Sequence, residues 1–436
     1  MMHILLSSIR FIFACLIVVS LYWSGLYGGF FFDDRNNILL LESIQLTELS
    51  QRSIYDALTS GIASYIGRPI AQLSFALNHY FSGFDPFTFK ATNLFIHLVT
   101  GLLVYLAARR LLISEAIAGF AAMLWLVHPI QLTSVLYVVQ RMTSLSTLFL
   151  LAGFLLHMGG RERGGRKGMA LILLAWALCW PLSILSKEIG ALFPLFILAW
   201  EMIIRRSKTL QLDRFARLLT VATAVVFTGA FIYVVIIESQ WLLGVYTTRD
   251  FSMTERLLTE GRVLWFYLGL MVFPRLESFA LYHDDILLST GLLSPWTTLP
   301  SLLGLAGIAW LAWRARLTAP LLSFGIAWFL IGHGLESTIL PLEIAHEHRN
   351  YLPSFGLVII AGWALAHSVK HSGWQKTLGI TLAIGVMISF AITTALRAHQ
   401  FGDELRRTQI EVQHHPNSMR TNNEAANAIV TYLAIP

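Results

Sequence analysis

Long apolar runs separated by short polar segments recur along the whole chain, a pattern typical of a protein that crosses a membrane many times. Eleven runs approach the length needed to span a bilayer. They lie at residues 4–24, 91–110, 114–130, 142–158, 168–186, 189–204, 216–238, 296–313, 319–335, 353–369 and 377–396. The pattern predicts an all-α polytopic membrane protein with about eleven transmembrane helices. A further apolar segment at 261–273 is too short to span comfortably, so we expect it to be re-entrant or to lie along the interface.

Basic residues fall in alternate short loops between these runs. There are fifteen of them: Arg109, Arg110, Arg161, Arg163, Arg166, Lys167, Arg205, Arg206, Lys208, Arg214, Arg217, Arg314, Arg316, Lys370 and Lys376. The positive-inside rule makes these loops cytoplasmic, with the N-terminus inside and the C-terminus outside. The outer face then receives a long first loop, residues 25–90, and the segments 239–295 and 336–352.

Composition supports a lipid environment. Of 436 residues, 56% are hydrophobic and 13% charged, and the mean hydropathy is +0.65. The net charge of +6 does not indicate a nucleic-acid partner, because the basic residues lie between apolar runs. Cys15 and Cys179 both lie inside apolar runs and are expected to pack as small hydrophobic residues. Compact loops and the absence of an N-x-S/T sequon favour a bacterial inner membrane.

Polar residues collect on the predicted outer face. Asp33, Asp34 and Arg35 follow the first run directly; they either form a functional cluster or belong to a hydrated loop that ends the helix. The other members are Arg68, His128, Gln131, Gln140, Arg141, Lys187, Glu188, Tyr282, His283, Asp284, Asp285, Glu343, His346, Glu347, His348, Arg349, Asn350 and Tyr351. Carboxylates, imidazoles and cations together suit a site that binds an anionic lipid headgroup and moves a proton.

Several of these residues have simpler interpretations. Lys187 and Glu188 could form an ion pair at a helix end, and Arg141 could extend to the interface beside its span. A metal site around His346-Glu347-His348 is not expected, because no H-E-x-x-H spacing is present. Asp284-Asp285 could bind a divalent ion, but capping of a helix that begins at Ile286 is preferred.

The segment from residue 401 is less apolar than the rest. We therefore predict two regions, a transmembrane domain at 1–400 and an outer helical tail at 401–436. The tail could begin a tetratricopeptide-type hairpin or form a simple terminal amphipathic helix.

Seven short stretches, in this order, carry a resemblance to a known family. They are Phe32-Asp33-Asp34-Arg35, Arg68-Pro69 with Phe75-Ala76-Leu77-Asn78, Asn93-Leu94-Phe95-Ile96-His97, His128-Pro129-Ile130-Gln131, Tyr137-Val138-Val139-Gln140-Arg141, Lys187-Glu188 and Glu347-His348-Arg349-Asn350-Tyr351-Leu352-Pro353. With them the chain resembles the polytopic GT-C glycosyltransferases, specifically O-mannosyltransferase-like proteins that carry tetratricopeptide repeats after the membrane domain. One departure is Thr133 and Ser134, where relatives often carry an acidic residue after the His-Pro motif.

The resemblance implies a sugar donor carried on a polyprenyl phosphate and an acceptor, protein or glycan, on the outer face. It implies Asp33 as general base with Asp34 as its partner. It also implies that Lys187, Arg141 and Arg349 hold the donor phosphate. Further substrate-binding residues are expected to be Arg35, Arg68, Glu188, His346 and His348. No cofactor or metal is expected, since the lipid-linked sugar is itself a substrate.

The chemistry is consistent with these residue types. A lipid-phosphate leaving group departs as an anion, so it needs cations rather than a general acid, while the acceptor hydroxyl needs a base. A carboxylate beside Arg35 is expected to be ionised at neutral pH. A lipid or glycan transporter, or flippase, is the alternative, but it would need polar groups along a path through the bilayer. A scaffold that recruits partners through its tail would leave the acid pair unexplained.

Overall fold

The fold is all-helical, as the hydrophobic pattern predicts. The computed structural model describes residues 2–112, 114–209 and 211–433, and the surroundings of side chains from residue 11 onward. No β-strand occurs in these residues; a single bridge joins Gly291 to Ser294. The α-helices are α1 Met2–Tyr22, α2 Gln51–Thr59, α3 Pro69–Ser82, α4 Pro86–Leu112, α5 Glu115–Leu126, α6 Leu132–Leu136, α7 Arg141–Arg163, α8 Gly165–Leu174, α9 Trp180–Ser186, α10 Phe193–Ala199, α11 Arg206–Thr209, α12 Arg214–Ile232, α13 Ser239–Tyr246, α14 Met253–Val272, α15 Thr298–Ala315, α16 Pro320–Gly332, α17 Ser354–Ser368, α18 Trp374–Phe401, α19 Glu404–His414 and α20 Met419–Leu433.

Every one of the eleven predicted apolar runs coincides with a helix or with consecutive helical segments. Five helical stretches of the described chain are long and apolar enough to cross a membrane: Pro86–Leu112, Val138–Arg163, Gly165–Ser186, Arg214–Ile237 and Trp374–Phe401. Glu115–Leu126 and Pro129–Leu136 would form a sixth span, bent by 49°. Shorter apolar helices make up several of the remaining runs. The number of eleven crossings therefore stays a prediction.

The segment expected to be re-entrant or to lie along the interface forms the second half of α14, an unbroken helix of 20 residues. Ser252 caps its N-terminus in a capping box with Glu255. The polar first half of α14 contains the buried pair Arg256 and Glu260, 2.9 Å apart. Because these charges lower the mean hydropathy of the first half of α14, only its second half appears as an apolar segment in the sequence, and that segment is shorter than a membrane span. The helix ends before Pro274.

Close helix packing depends on small residues in places. Gly325 on α16 lies against the carbonyl oxygen of Gly356 on α17, and a Cβ atom at Gly325 would approach that oxygen to 2.5 Å. Such contacts let two helix backbones approach closely in a membrane protein.

The tail forms two helices, α19 and α20, that pack on each other and on the membrane domain. Its Glu411 carboxylate accepts a hydrogen bond of 3.1 Å from the backbone N–H of Leu281. The expectation of a helix beginning at Ile286 is wrong, because residues 281–297 contain no helix. The division at residue 400 and the repeat-like character of the tail stay predictions.

Candidate active site

The two acids of the first loop have different surroundings. Asp34 is fully buried, and its two carboxylate oxygens accept backbone N–H bonds from Val139, at 2.6 Å, and Phe31, at 2.9 Å. Burial raises the pKa of Asp34 to about 7, although these N–H bonds and the charge of Lys90 act in the opposite direction. Asp34 therefore joins the loop after α1 to the segment before α7.

Asp33 is only partly buried, and its carboxylate stays available. Its backbone N–H donates to the Tyr137 hydroxyl at 3.0 Å. Burial raises the pKa of Asp33, and the charge of Glu343 adds to this effect; the Tyr137 hydroxyl and the cations Arg420 and Arg68 oppose it. The neighbouring Arg35, expected to keep this carboxylate ionised, is instead exposed in the π-helical turn that follows.

Two ion pairs adjoin each other around Arg68, whose charge acts on both Asp33 and Lys187. The Arg68 guanidinium forms a bidentate pair with Glu188, its Nη2 lying 2.8 Å from Oε2. The Lys187 ammonium lies 2.9 Å from Glu336 and donates to the Thr143 hydroxyl at 3.0 Å. The alternative that Lys187 and Glu188 pair with each other is thus wrong, since each has a different partner.

Glu336 is a site residue that the sequence did not reveal. Burial would raise its pKa, but the positive charges of Lys187 and Arg349 outweigh burial and lower it to about 2. In the sequence, Glu336 is a single acidic residue directly after the apolar run at 319–335. Nothing in that pattern distinguishes it as a candidate site residue. Glu336 stays ionised and favours the charged form of Lys187, although burial lowers the pKa of this lysine.

The third cation, Arg349, is buried but has no carboxylate partner at salt-bridge distance among the described residues. Its guanidinium donates to the carbonyl oxygens of Ile344, at 3.1 Å, and Glu343, at 2.8 Å. Beside it the rings of His346 and His348 stack, with centroids 5.0 Å apart. Burial lowers the pKa of both imidazoles well below the usual range, with nearby cations adding to the effect. Both are therefore neutral at pH 7.

Glu347 lies between these histidines in sequence but contacts other partners. Its carboxylate binds Arg397 at 2.8 Å and the backbone N–H of Ala280 at 2.9 Å. The carboxylate of Glu347 therefore binds partners other than the two flanking histidines.

Arg141 lies at the same end of the helices but is fully buried. Its guanidinium donates to Asn93 and Asn78 side chains and to the carbonyl oxygens of Ser74 and Phe89. Four of its five N–H groups are consumed in this way. This geometry favours a structural role that joins α3, α4 and α7 over contact with a phosphate.

A cavity of about 310 Å³ opens beside the histidine stack. Its wall combines loop residues Tyr282, Glu343 and His346 with tail residues Asn417 and Arg420. Arg420 binds the Glu343 carboxylate at 3.0 Å, and its charge acts on Asp33. Sequence reasoning missed Arg420 because the tail was treated as a separate unit.

The arrangement can therefore accept a proton at Asp33 and bind an anion near Arg349 and Lys187. The basic residues Arg109 and Arg110 lie in the last turn of α4, at the other end of this helix from Phe89, which binds Arg141. Of the predicted residues, the structure brings Asp33, Arg68, Lys187, Glu188, His346, His348 and Arg349 together.

Comparisons with known proteins point in one direction. No protein-family model matches the chain. Protein O-mannosyl-transferase TMTC3 of Mus musculus is 35% identical over 144 residues, which are 32% of this chain and 16% of the relative. Protein O-mannosyl-transferase Tmtc2 of Drosophila melanogaster is 33% identical over 42% of this chain and 21% of its own length. Protein O-mannosyl-transferase F38B6.6 of Caenorhabditis elegans is 24% identical over 82% of this chain and 49% of its own length.

A solved structure resembles the fold more remotely. It is the crystal structure of ArnT from Cupriavidus metallidurans bound to undecaprenyl phosphate, with a TM-score of 0.42 and 12% identity over 94% of this chain and 77% of that chain. The chain spans at most about half the length of the relatives described above. The sequence-based resemblance to O-mannosyltransferase-like proteins is confirmed by these relatives.

Proposed function

From the premise that the chain is similar to the protein O-mannosyl-transferases, we propose that it is an integral-membrane glycosyltransferase. It moves a sugar, mannose by analogy with those relatives, from a polyprenyl-phosphate donor to an acceptor hydroxyl on the extracytoplasmic face. A protein Ser/Thr hydroxyl is the preferred acceptor. The observation that carries the proposal is the accessible Asp33 carboxylate, which shares one polar site with the cations Arg68, Lys187 and Arg349.

Asp33 acts as the general base. As the acceptor oxygen forms its bond to the anomeric carbon, the hydroxyl proton passes to the Asp33 carboxylate. The bond between the anomeric carbon and the phosphate oxygen breaks, and the polyprenyl phosphate leaves with the electron pair. A raised pKa suits this role, because a base whose pKa lies closer to the working pH gives a larger driving force for proton transfer.

The cations stabilise the leaving phosphate. Lys187 uses two of its three ammonium N–H groups on Glu336 and Thr143, so one remains for a ligand. Arg349 spends two N–H groups on carbonyl oxygens and can offer the rest of its fork to a phosphate. The neutral imidazoles of His346 and His348 make no side-chain hydrogen bond to a described residue, so they too can contact the donor.

The proposal is tested with purified protein in nanodiscs, a synthetic polyprenyl-phosphate mannose and a Ser/Thr-rich acceptor peptide, with mass spectrometry of the product. Arg349→Ala and Lys187→Ala should weaken apparent donor affinity by roughly ten- to a hundredfold, since a charge-assisted hydrogen bond contributes about 1.5–3 kcal/mol. Arg52→Ala is the matched control, because the Arg52 side chain is 93% exposed.

The outcomes separate the possible functions. Transfer that needs Asp33 and weakens in both cation variants supports the proposal. If the protein binds or translocates the donor but transfers no sugar to either a peptide or a glycan acceptor, a transporter is indicated instead. Unchanged donor dependence in both variants would remove these cations from the site.

We also propose a bacterial inner-membrane location, with the N-terminus in the cytoplasm and the C-terminus outside. The support is the alternation of basic loops with polar segments that carry the site.

A further inference from the structure

Three potential metal ligands meet where the loop at 281–285 contacts the tail. One ligand atom from each of His283, Asp285 and His415 lies within 4.8 Å of the other two. The two imidazole rings approach edge to face, with centroids 5.8 Å apart. His283 is 4% exposed and His415 9% exposed, whereas the Asp285 carboxylate is partly open to solvent.

Both imidazoles leave a buried nitrogen without a partner. Nε2 of His283 and Nε2 of His415 make no hydrogen bond in the described structure. The nearest acidic group to the first is Glu347 Oε1, which at 3.7 Å is too far for a hydrogen bond. Buried polar atoms without partners are uncommon because their desolvation is not compensated. The two unpartnered imidazole nitrogens therefore indicate a bound ligand at this point.

The second ring is held in a defined orientation. Nδ1 of His415 lies 2.8 Å from Asp285 Oδ2. When Nδ1 carries the proton, this bond leaves the Nε2 lone pair free, which is the usual arrangement of a carboxylate that orients a metal-bound histidine. Asp285 then orients His415 and does not bind the ion itself.

We propose that His283 and His415, the second oriented by Asp285, form a site for a divalent transition metal, zinc foremost, that fastens the tail to the membrane domain. Imidazole nitrogens are ligands that zinc prefers, whereas Ca²⁺ and Mg²⁺ prefer oxygen ligands alone. Water or a further side chain would complete the tetrahedral coordination that zinc adopts.

The position gives the ion a structural consequence. Tyr282 and Asp284, which flank His283, line the cavity of the candidate active site. Asp284 also accepts a hydrogen bond from the backbone N–H of Arg420 at 3.1 Å. The ion would therefore fix the wall that the tail contributes to this cavity. The inference does not rest on the proposed glycosyl transfer.

The test is metal binding by the full-length protein. Protein in nanodiscs is stripped with EDTA and titrated with Co²⁺, whose visible absorption reports tetrahedral coordination, and bound zinc is counted by mass spectrometry of the metal. We expect one equivalent per chain, and a rise in melting temperature when zinc is restored, because a ligand that binds only the folded state stabilises it.

Variants locate the ion. His283→Ala and His415→Ala should each lose the Co²⁺ absorption, while the neighbouring His414→Ala should keep it. His283→Cys, which supplies a different ligand, should retain binding and add a sulfur-to-cobalt charge-transfer band, so a folding defect in an alanine variant does not decide the outcome. The proposal is overturned if no Co²⁺ absorption develops, in which case His415 and Asp285 form only an ion pair. It is also overturned if the absorption survives both alanine variants.

Discussion

The acid pair offers the sharpest experiment, because its two members have opposite roles in the structure. Asp33→Asn keeps the shape of the side chain but cannot take up a proton as a carboxylate does. Turnover should fall about a hundredfold to ten-thousandfold, equivalent to about 3–5 kcal/mol of barrier. Thermal stability should change little, because the backbone N–H bond of Asp33 to Tyr137 is kept and an asparagine oxygen can still accept from this hydroxyl.

Asp34→Asn should show the reverse pattern. Both oxygens of Asp34 accept backbone N–H groups in a fully buried position. An asparagine offers one oxygen only, and its amide N–H₂ would face one of these donors without a partner. An unsatisfied buried group costs about 1–3 kcal/mol, so Asp34→Asn should lower the melting temperature measurably. Any loss of activity should follow the loss of folded protein.

The assay measures both quantities on the same preparations. Single-turnover transfer gives the chemical step, binding of the polyprenyl-phosphate sugar is titrated separately, and melting is followed by intrinsic fluorescence in nanodiscs. Glu48→Gln serves as control, since Glu48 is an exposed acid of the same loop. Near-normal turnover in Asp33→Asn would refute the assignment of the base. A stable Asp34→Asn variant with lost turnover would transfer that role to Asp34.

Three further predictions follow from the same geometry. Burial raises the pKa of Asp33, and the base must be ionised to act, so kcat/KM should be high above this pKa and fall as the pH drops through it. A pH–rate profile should place this fall at a higher pH than an ordinary carboxyl would give. Arg141→Lys should destabilise the protein in thermal melts without selectively weakening donor affinity, because a lysine cannot replace the four hydrogen bonds of the buried guanidinium. Reporter fusions at residue 436 should be active only outside the cytoplasm; cytoplasmic activity would contradict the orientation derived from the basic loops.

Local sequence patterns predicted the helices well, but they predicted only some of the contacts between side chains of the candidate site. Each of the eleven apolar runs found by hydropathy is helical in the structure, but hydropathy underestimated α14, whose buried Arg256 and Glu260 form an ion pair. Such compensation depends on side chains one helical turn apart and is invisible to an average over a window. The helix expected after Asp285 failed for a related reason. Asp284 instead accepts the backbone N–H of Arg420, a partner that is distant in sequence.

The cations show the limit of motif positions most clearly. Arg141 and Arg349 both match the family resemblance, and both are buried. Arg141 donates four hydrogen bonds to protein acceptors, whereas Arg349 donates two to carbonyl oxygens and lies beside the stacked histidines. Sequence assigns the same charge to both residues. Only the count of remaining donors separates a structural arginine from one that can hold a phosphate.

The tail completes this site rather than following it. Arg407 of α19 is fully buried, binds Glu411 and Glu424, and lies 4.6 Å from the Phe31 ring beside the acid pair. Arg420 of α20 reaches Glu343 and acts on Asp33. The first loop and the tail therefore contact each other at the acid pair, even though they come from opposite ends of the chain. A boundary at residue 400 follows the change in hydropathy, but the polar cluster around Asp33 includes residues from both sides of it.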